Sequence, residues 1–115
     1  RGHLWFLPWT PSTPMRLNRF AIPEPLSPPN QRLRPQFLDM ALTPLLGFDA
    51  HCHRLGMGGG YYDRAFAFRR RQQHWRGPVI WGLAHEGQRC STLDVQPWDV
   101  PLDAVVTPEC VYRRV

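Results

Sequence analysis

Residues 54–64 read RLGMGGGYYDR and place four glycines within the five positions 56–60. Because glycine lacks a β-carbon, its backbone reaches positive φ and brings successive amide N–H groups close to an anion. The stretch therefore predicts a phosphate cradle, to which a helix starting directly after it adds unpaired amides and a partial positive dipole. Taken alone, a glycine-rich stretch is also typical of a flexible turn, and the sequence on either side decides between the two.

A nearly continuous apolar run, LDMALTPLLGF at residues 38–48, precedes the loop. Such a run predicts a strand covered on both faces, although its length and composition also permit a buried helix. Pro44 argues against the helix because proline donates no backbone hydrogen bond. Residues 49–60 are rich in turn formers and connect this strand to the next element.

After the loop, apolar and basic side chains recur at helical spacing and predict a helix over residues 61–73, which Gly77 and Pro78 end. Apolar runs at residues 79–84 and 103–107 predict two further buried strands. Strand, loop, helix and strand in this order form the right-handed crossover unit of a parallel sheet. We therefore expect an α/β fold with a mostly parallel sheet flanked by helices.

The amino-terminal part is rich in proline, with nine of the 13 prolines in the first 44 residues. Long regular elements are not expected there, since proline donates no backbone hydrogen bond. Residues 4–7 and 19–22 are predicted to be short strands, and residues 23–25 an extended exit from the second. Residues 26–36 have the composition of a surface loop.

The composition is that of a folded globular protein, with 115 residues, 43% hydrophobic and 20% charged, which favours a single domain over disorder. No apolar run approaches the roughly 20 residues that cross a bilayer, so no membrane residence is expected. The three cysteines show no CxxC spacing, which indicates neither a disulfide framework nor a zinc site and fits the cytoplasm. The chain opens on Arg1 without a signal pattern, so we expect an upstream segment to be missing.

The charge is strongly basic, at +5, and all 14 basic residues are arginine. Guanidinium groups suit phosphate and carboxylate, so nucleotides, folates and nucleic acid all qualify as ligands. Solvated arginines that reflect genome composition are the alternative explanation, and charge alone does not decide. A non-catalytic nucleotide- or RNA-binding module is a rival hypothesis, although the sequence contains no RNA-reading motif.

The sequence FDAHCHRLGMGGGYYDR, at residues 48–64, resembles the signature of the 5-formyltetrahydrofolate cyclo-ligase family. The family pattern has FD, a turn, RLG, a glycine run and YYD in this order. Further segments resemble the family at NRFAIPEP (residues 18–25), Leu38-Asp39 with Pro44, Gln88, and WDVPLD (residues 98–103). The resemblance implies one domain over residues 1–115, an open three-layer α/β fold without the family's amino-terminal helix and first strand-helix unit.

The resemblance also implies the binding residues. ATP would be bound by Arg54, Leu55, Gly56, Met57, Gly58, Gly59, Gly60, Tyr61 and Tyr62, and the folate by Met57, Gly58, Gly59, Gly60 and Tyr61. Magnesium would be held by Asp63 and Asp99. From position alone, Asp63 is equally well a first-turn acid that stabilises a helix dipole, and Asp99 a turn residue.

The activity implied is the ATP- and Mg²⁺-dependent conversion of 5-formyltetrahydrofolate to 5,10-methenyltetrahydrofolate, with release of ADP and phosphate. Arg54 is the expected catalytic residue for charge stabilisation, and Tyr61 would orient the formyl group or line the pocket. An inactive folate-binding paralogue is a further alternative, and so is inactivity of this chain when it is separated from the missing amino-terminal segment. No nucleic acid or membrane partner is expected. We do expect the chain to associate with the missing amino-terminal piece or with itself.

One departure from the family lies in the turn between FD and RLG, where Cys52 stands in place of the usual glycine. A cysteine enters positive φ only at a cost of roughly 1 kcal/mol, so a different turn is expected. His51, Cys52 and His53 superficially resemble a metal triplet. Because adjacent residues point to different sides, no metal site is expected there.

Overall fold

The computed structural model describes residues 4–26, 28–56, 60–71 and 78–114. Met57, Gly58, Gly59 and the end of the predicted helix lie outside these ranges. The described strands are β1 (Met15–Leu17), β2 (Pro23–Pro25), β3 (Met40–Thr43), β4 (Gly47–Phe48), β5 (Arg54–Leu55), β6 (Val79–Leu83), β7 (Ala104–Val106) and β8 (Val111–Arg113). The helices are α1 (Tyr61–Ala65) and α2 (Phe68–Arg71), and 3₁₀ turns occupy Pro29–Gln31, Pro35–Phe37 and Glu86–Gln88.

The main sheet has four strands in the order β3-β6-β7-β8. β3 and β6 are parallel, β6 and β7 are parallel, and β8 runs antiparallel to β7. β6 and β7 lie within the predicted strands at residues 79–84 and 103–107. The expected α/β class with a mostly parallel sheet is confirmed, although the described helices are short.

The single strand predicted over residues 38–48 is wrong. The run divides into β3 and β4, which belong to different sheets, and Pro44 lies between them. Exposure alternates along β3, with Met40 at 48% and Leu42 at 54%, while Ala41 and Thr43 are buried. Alternation of this kind marks a strand with one covered face, so the strand is not buried on both sides.

The continuous helix predicted over residues 61–73 is also wrong, because two short helices replace it. The backbone leaves helical geometry at Phe66, whose φ is −109°. Phe66 is 1% exposed and packs in the core, with its ring centroid 6.1 Å from that of Phe6. Burial of this ring accompanies the break, and tertiary packing here overrides the helical pattern of the sequence.

Neither predicted amino-terminal strand forms. Residues 4–7 contribute only an isolated bridge from Phe6 to Leu33. Residues 19–22 belong to the turn of a hairpin formed by β1 and β2. Asn18 Oδ1 accepts hydrogen bonds from the backbone N–H of Phe20 at 2.8 Å and of Ile22 at 3.1 Å, so side-chain capping of a turn decides the local structure.

The core lies between the main sheet and the segments before β5 and before β7. Its buried apolar side chains are Ala41, Leu45, Phe48, Cys52, Phe66, Ile80, Val100, Leu102 and Val105. At Gly82 of β6, a β-carbon would lie 2.7 Å from Leu102 Cδ1 and 2.8 Å from Leu45 Cδ2. Glycine is required there because two core leucines pack directly against the strand backbone.

The opposite face of the sheet exposes apolar side chains at Met40, Leu42 and Leu83. Leu42 is paired in register with Trp81, so these side chains form one continuous surface. Within the described ranges, no helix has the length and apolar character needed to cross a membrane.

Candidate functional site

Of the two described ends of the glycine loop, Gly60 has a backbone conformation that favours glycine, and Gly56 lies against the side chain of Arg54. Gly60 has a φ of 69°, in the left-handed region, and forms the N-cap of α1. At Gly56 a β-carbon would lie 2.8 Å from a guanidinium nitrogen of Arg54, which is in close contact with the loop backbone. Because residues 57–59 are not described, the phosphate cradle and its binding residues stay a prediction.

Arg54 is anchored where β5 leads into the loop. Its Nε–H donates to the carbonyl oxygen of Pro44 at 2.9 Å, and its guanidinium lies 4.8 Å from the ring centroid of Tyr62. Burial lowers the pKa of Arg54 from its ordinary value, and the nearby charges of Asp63 and Asp99 oppose this shift. The side chain remains a cation at neutral pH and is held in one orientation.

Asp63 and Asp99, the two predicted metal ligands, approach Arg54 from separate segments. Asp63 Oδ1 accepts the backbone N–H of Val100 at 3.0 Å, and Asp99 Oδ2 accepts that of Gln96 at 2.8 Å. Each carboxylate is thus oriented through one oxygen. Among the described residues, no hydrogen bond engages the other oxygen of either.

Arg54 stands between two neighbouring clefts that share it and Val100. The first is lined by Thr43, Arg54, Tyr62, Asp63, Phe66, Ile80, Val100 and Leu102. The second is lined by His53, Arg54, Asp94, Val95, Asp99, Val100 and Pro101. The structure therefore brings the cation and both carboxylates into one region.

These carboxylates fit a magnesium ion that is shared with a bound anion. In the part of the chain that the structure describes, no group of three or more His, Cys, Asp or Glu side chains is arranged to hold a metal. Mg²⁺ is commonly held by one or two carboxylates together with substrate phosphates and retained water, rather than by a complete protein cage. Asp63 and Asp99 would supply the protein's share of such a ligand set.

The two tyrosines after the loop have different environments. Tyr61 is 41% exposed, with the guanidinium of Arg64 at 5.2 Å from its ring centroid. Tyr62 packs against the core and beneath Arg54. Tyr61 is therefore available at the surface beside the loop, whereas Tyr62 supports Arg54.

Sequence reasoning missed the environment of Asp49, which is fully buried. Its Oδ1 accepts the backbone N–H groups of His51 at 3.0 Å and His53 at 3.1 Å. Its Oδ2 lies 2.9 Å from His53 Nδ1 and accepts the N–H of Leu93 at 3.2 Å. Burial raises the pKa of Asp49, but these hydrogen bonds outweigh burial and leave it below its ordinary value. The available sequence signal was an Asp followed by a His four residues later, with a turn between them.

The expected change in the turn at Cys52 is not seen. Cys52 itself adopts a φ of 64°, the left-handed conformation that favours glycine. The side chain is fully buried, and its thiol donates to the carbonyl oxygen of Tyr112 at 3.3 Å. Core packing holds this residue in a backbone conformation that is unfavourable for cysteine.

Two further positions of the family pattern have structural roles. Gln88 Nε2 donates to the carbonyl oxygen of Leu45 at 2.8 Å, and its Oε1 accepts the N–H of His85 at 2.9 Å. Asp103 Oδ2 accepts the N–H of Ile80 at 2.8 Å. Both side chains link segments that are distant in sequence.

Comparison with known proteins agrees with these features. The family model described as the 5-formyltetrahydrofolate cyclo-ligase family matches residues 1–108. The chain is 41% identical to the 5-formyltetrahydrofolate cyclo-ligase of Escherichia coli strain K12, over 97% of this chain and 59% of that protein. It is 42% identical to the Haemophilus influenzae enzyme of the same name, over 89% of this chain and 52% of that protein.

Solved structures also resemble this chain in fold and sequence. The NMR structure of Aquifex aeolicus 5,10-methenyltetrahydrofolate synthetase matches with a TM-score of 0.68 and 31% identity, over 90% of this chain and 48% of that one. A 5,10-methenyltetrahydrofolate synthetase from Mycoplasma pneumoniae matches with a TM-score of 0.54 and 31% identity, over 79% and 52%. The chain thus spans between about half and 59% of the length of these relatives. With matching sequence and fold across nearly all of its residues, the chain belongs to the 5-formyltetrahydrofolate cyclo-ligase family.

Proposed function

We propose that this protein converts 5-formyltetrahydrofolate to 5,10-methenyltetrahydrofolate in an ATP- and Mg²⁺-dependent reaction that releases ADP and phosphate. One observation carries the proposal: Arg54 lies near both Asp63 and Asp99 and stands two residues before the first glycine of the loop. The names of the relatives support the same folate chemistry.

The proposed reaction has two steps. The formyl oxygen on N5 attacks the γ-phosphorus of ATP, the bond from that phosphorus to the bridging oxygen breaks, and ADP leaves. N10 then attacks the formyl carbon, the carbon–oxygen bond to phosphate breaks, and N10 loses its proton. Such phosphoryl transfer depends mainly on in-line positioning and on neutralisation of charge on the phosphate oxygens.

Arg54 would neutralise charge on the transferred phosphoryl group. Its Nε–H is already bonded to Pro44 and its plane rests near Tyr62, so its orientation is set before the ligand arrives. A donor held in this way costs little reorganisation during the reaction, which is the basis of electrostatic stabilisation. Bound magnesium, held by Asp63 and Asp99, would supply Lewis acidity toward the phosphates.

The remaining contacts are proposed from the family pattern. ATP would lie along Arg54, Leu55, Gly56, Met57, Gly58, Gly59, Gly60, Tyr61 and Tyr62, and the folate along Met57, Gly58, Gly59, Gly60 and Tyr61. The exposed ring of Tyr61 is suited to orienting the formyl group. We further propose that residues 1–115 belong to one cyclo-ligase domain and that the protein acts in the cytoplasm, where its free cysteines would stay reduced.

The test is to follow the absorbance of methenyltetrahydrofolate after mixing the full-length protein with 5-formyltetrahydrofolate and ATP. Product should form with magnesium and should not form when a chelator removes it. Folded protein that makes no product under any of these conditions would refute the proposal. Nucleotide binding without turnover would instead indicate the inactive paralogue.

A further inference from the structure

The buried Asp49 fixes both the orientation and the tautomer of His53. Asp49 accepts four hydrogen bonds, one of them from His53 Nδ1 at 2.9 Å. Its lowered pKa keeps the carboxylate ionised at neutral pH, so it has no hydrogen to donate. The proton in this contact therefore belongs to His53 Nδ1, and Nε2 lies on the opposite side of the ring.

His53 also forms part of the candidate site. Its side chain is 32% exposed and lines the same cleft as Arg54 and Asp99. The backbone N–H of His53 donates to Asp49 Oδ1 at 3.1 Å, so the main chain as well as the ring is held by that carboxylate. A fixed polar ring in the wall of a cleft is suited to contact a ligand.

The chemistry of the cleft points to a nucleotide. Arg54 offers a cation to phosphate and Asp99 an oxygen to the divalent ion that accompanies it. In that setting, Nε2 with no proton accepts a hydrogen bond from a ribose hydroxyl or from water on the ion. A protonated Nε2 donates to a phosphate oxygen. Both contacts belong to the same ligand, a magnesium–nucleoside triphosphate complex.

We propose that His53 is a further nucleotide-binding residue, and that Asp49 is the positioning residue that holds its ring toward the cleft. The inference rests on the proposed function, because it adds a contact to the same nucleotide site.

Two substitutions test the two ring nitrogens of His53 separately. His53→Asn keeps a donor near the position of Nδ1 and removes Nε2, the atom proposed to contact the ligand. His53→Gln places an amide near the position of Nε2 and gives up the bond to Asp49. The matched control is His51→Asn, the same change at an exposed residue that also donates its backbone N–H to Asp49.

The measurement is the Kd of a non-hydrolysable ATP analogue with magnesium, obtained by calorimetry, with thermal unfolding of each variant. His53→Asn should weaken binding about fivefold to tenfold, the effect of one hydrogen bond of roughly 1 kcal/mol. His53→Gln should keep most of the affinity but unfold at a lower temperature, and His51→Asn should change neither. Magnesium tripolyphosphate, which lacks ribose, narrows the contact: a parallel loss of affinity indicates phosphate or water on the ion, and an unchanged affinity indicates the ribose.

An independent measurement needs no variant. In NMR spectra of the unaltered chain, the magnesium–analogue complex should shift the ring signals of His53 and leave those of His51 in place. His53→Asn that binds as tightly as the unaltered chain, or His53 ring signals that do not move on saturation, would overturn the inference alone. An unaltered chain that binds no nucleotide would overturn the proposed function and this inference with it.

Discussion

Asp63 Oδ1 accepts the backbone N–H of Val100 at 3.0 Å, which ties the first turn of α1 to the segment that carries Asp99. The bond joins positions 37 residues apart in sequence. Asp63 therefore contributes to the fold through one oxygen and is proposed to bind magnesium through the other. The structural and the metal-binding interpretations of this residue are compatible, because they use different atoms.

Substitutions at Asp63 should separate these two roles. Asp63→Asn retains an oxygen acceptor for Val100, so its unfolding temperature should stay close to the parent's. Asp63→Ala loses that bond and should lose about 1 kcal/mol of stability. Both should lose magnesium-dependent nucleotide binding in calorimetry, whereas Asp39→Asn, an equivalent change at an exposed position, should not. Parental magnesium dependence in Asp63→Asn would remove Asp63 from the metal site.

Arg54→Lys keeps the positive charge but lacks the planar guanidinium group. It loses the Nε–H bond to Pro44 and the packing on Tyr62, so the charge is no longer held in place. We expect kcat to fall about 100-fold or more, as for removal of a preorganised donor. Arg16→Lys, on the exposed strand β1, serves as the control. A kcat within a few-fold of the parent's would contradict a catalytic role.

Asp49 should make the free energy of unfolding depend on pH in the acid range. Its pKa is lower in the fold than its ordinary value of 3.8, so its stabilising effect is complete above that value. The effect is lost as the pH falls from 3.8 through the lowered pKa of the folded state.

Asp49→Asn should therefore show a shallower loss of unfolding free energy over this acid range. At neutral pH the variant should be less stable by about 1–3 kcal/mol, because an amide N–H replaces one acceptor in a buried site. Chemical denaturation at a series of pH values measures both effects. Parallel pH profiles for parent and variant would show that Asp49 does not stabilise the fold through its charge.

At position 52, a glycine variant should be more stable than an alanine variant, which reverses the usual order of these two residues. Since its φ is 64°, Cys52→Gly relieves strain while Cys52→Ala keeps it, and both lose the same buried thiol. We expect the glycine variant to be more stable than the alanine variant by about 1 kcal/mol in denaturant unfolding. If alanine proves the more stable of the two, the turn is not strained.

The open face of the sheet should promote self-association. Leu42 is 54% exposed and Leu83 is 48% exposed, and both lie on the same apolar surface. Replacing both with threonine, which suits a strand, should lower the apparent mass in light scattering at high concentration. Phe20→Thr, at an equally apolar but separate hairpin tip, should have little effect. Equal association in all three proteins would exclude this surface as the contact.

The sequence was most informative where a short apolar run is bounded by turn residues. β6 and β7 lie within the predicted ranges because their side chains are apolar and their neighbours break regular structure. Prediction failed where packing overrides local pattern, as at Phe66, whose burial accompanies the end of α1. A periodic sequence pattern does not specify at which residue a helix ends so that a side chain can pack in the core.

The candidate site was predictable only in part, for a related reason. The glycine loop, Arg54 and Asp63 lie together in sequence, and the family pattern adds Asp99. The role of Asp49 depends on contacts with Leu93, 44 residues away, as well as on the local turn. The buried environment that makes this carboxylate informative exists only in the folded chain.

Gly82 sets how closely β6 can approach the segment that leads from Asp99 into β7. Leu102 packs where the missing β-carbon would be, and it follows Asp99 by three positions in the chain. A methyl group added at residue 82 would displace the side chain of Leu102 or Leu45, and a shift of Leu102 would be passed along the chain toward Asp99. The affinity for the proposed divalent ion would thus depend in part on the packing at residue 82, which is not one of its proposed ligands.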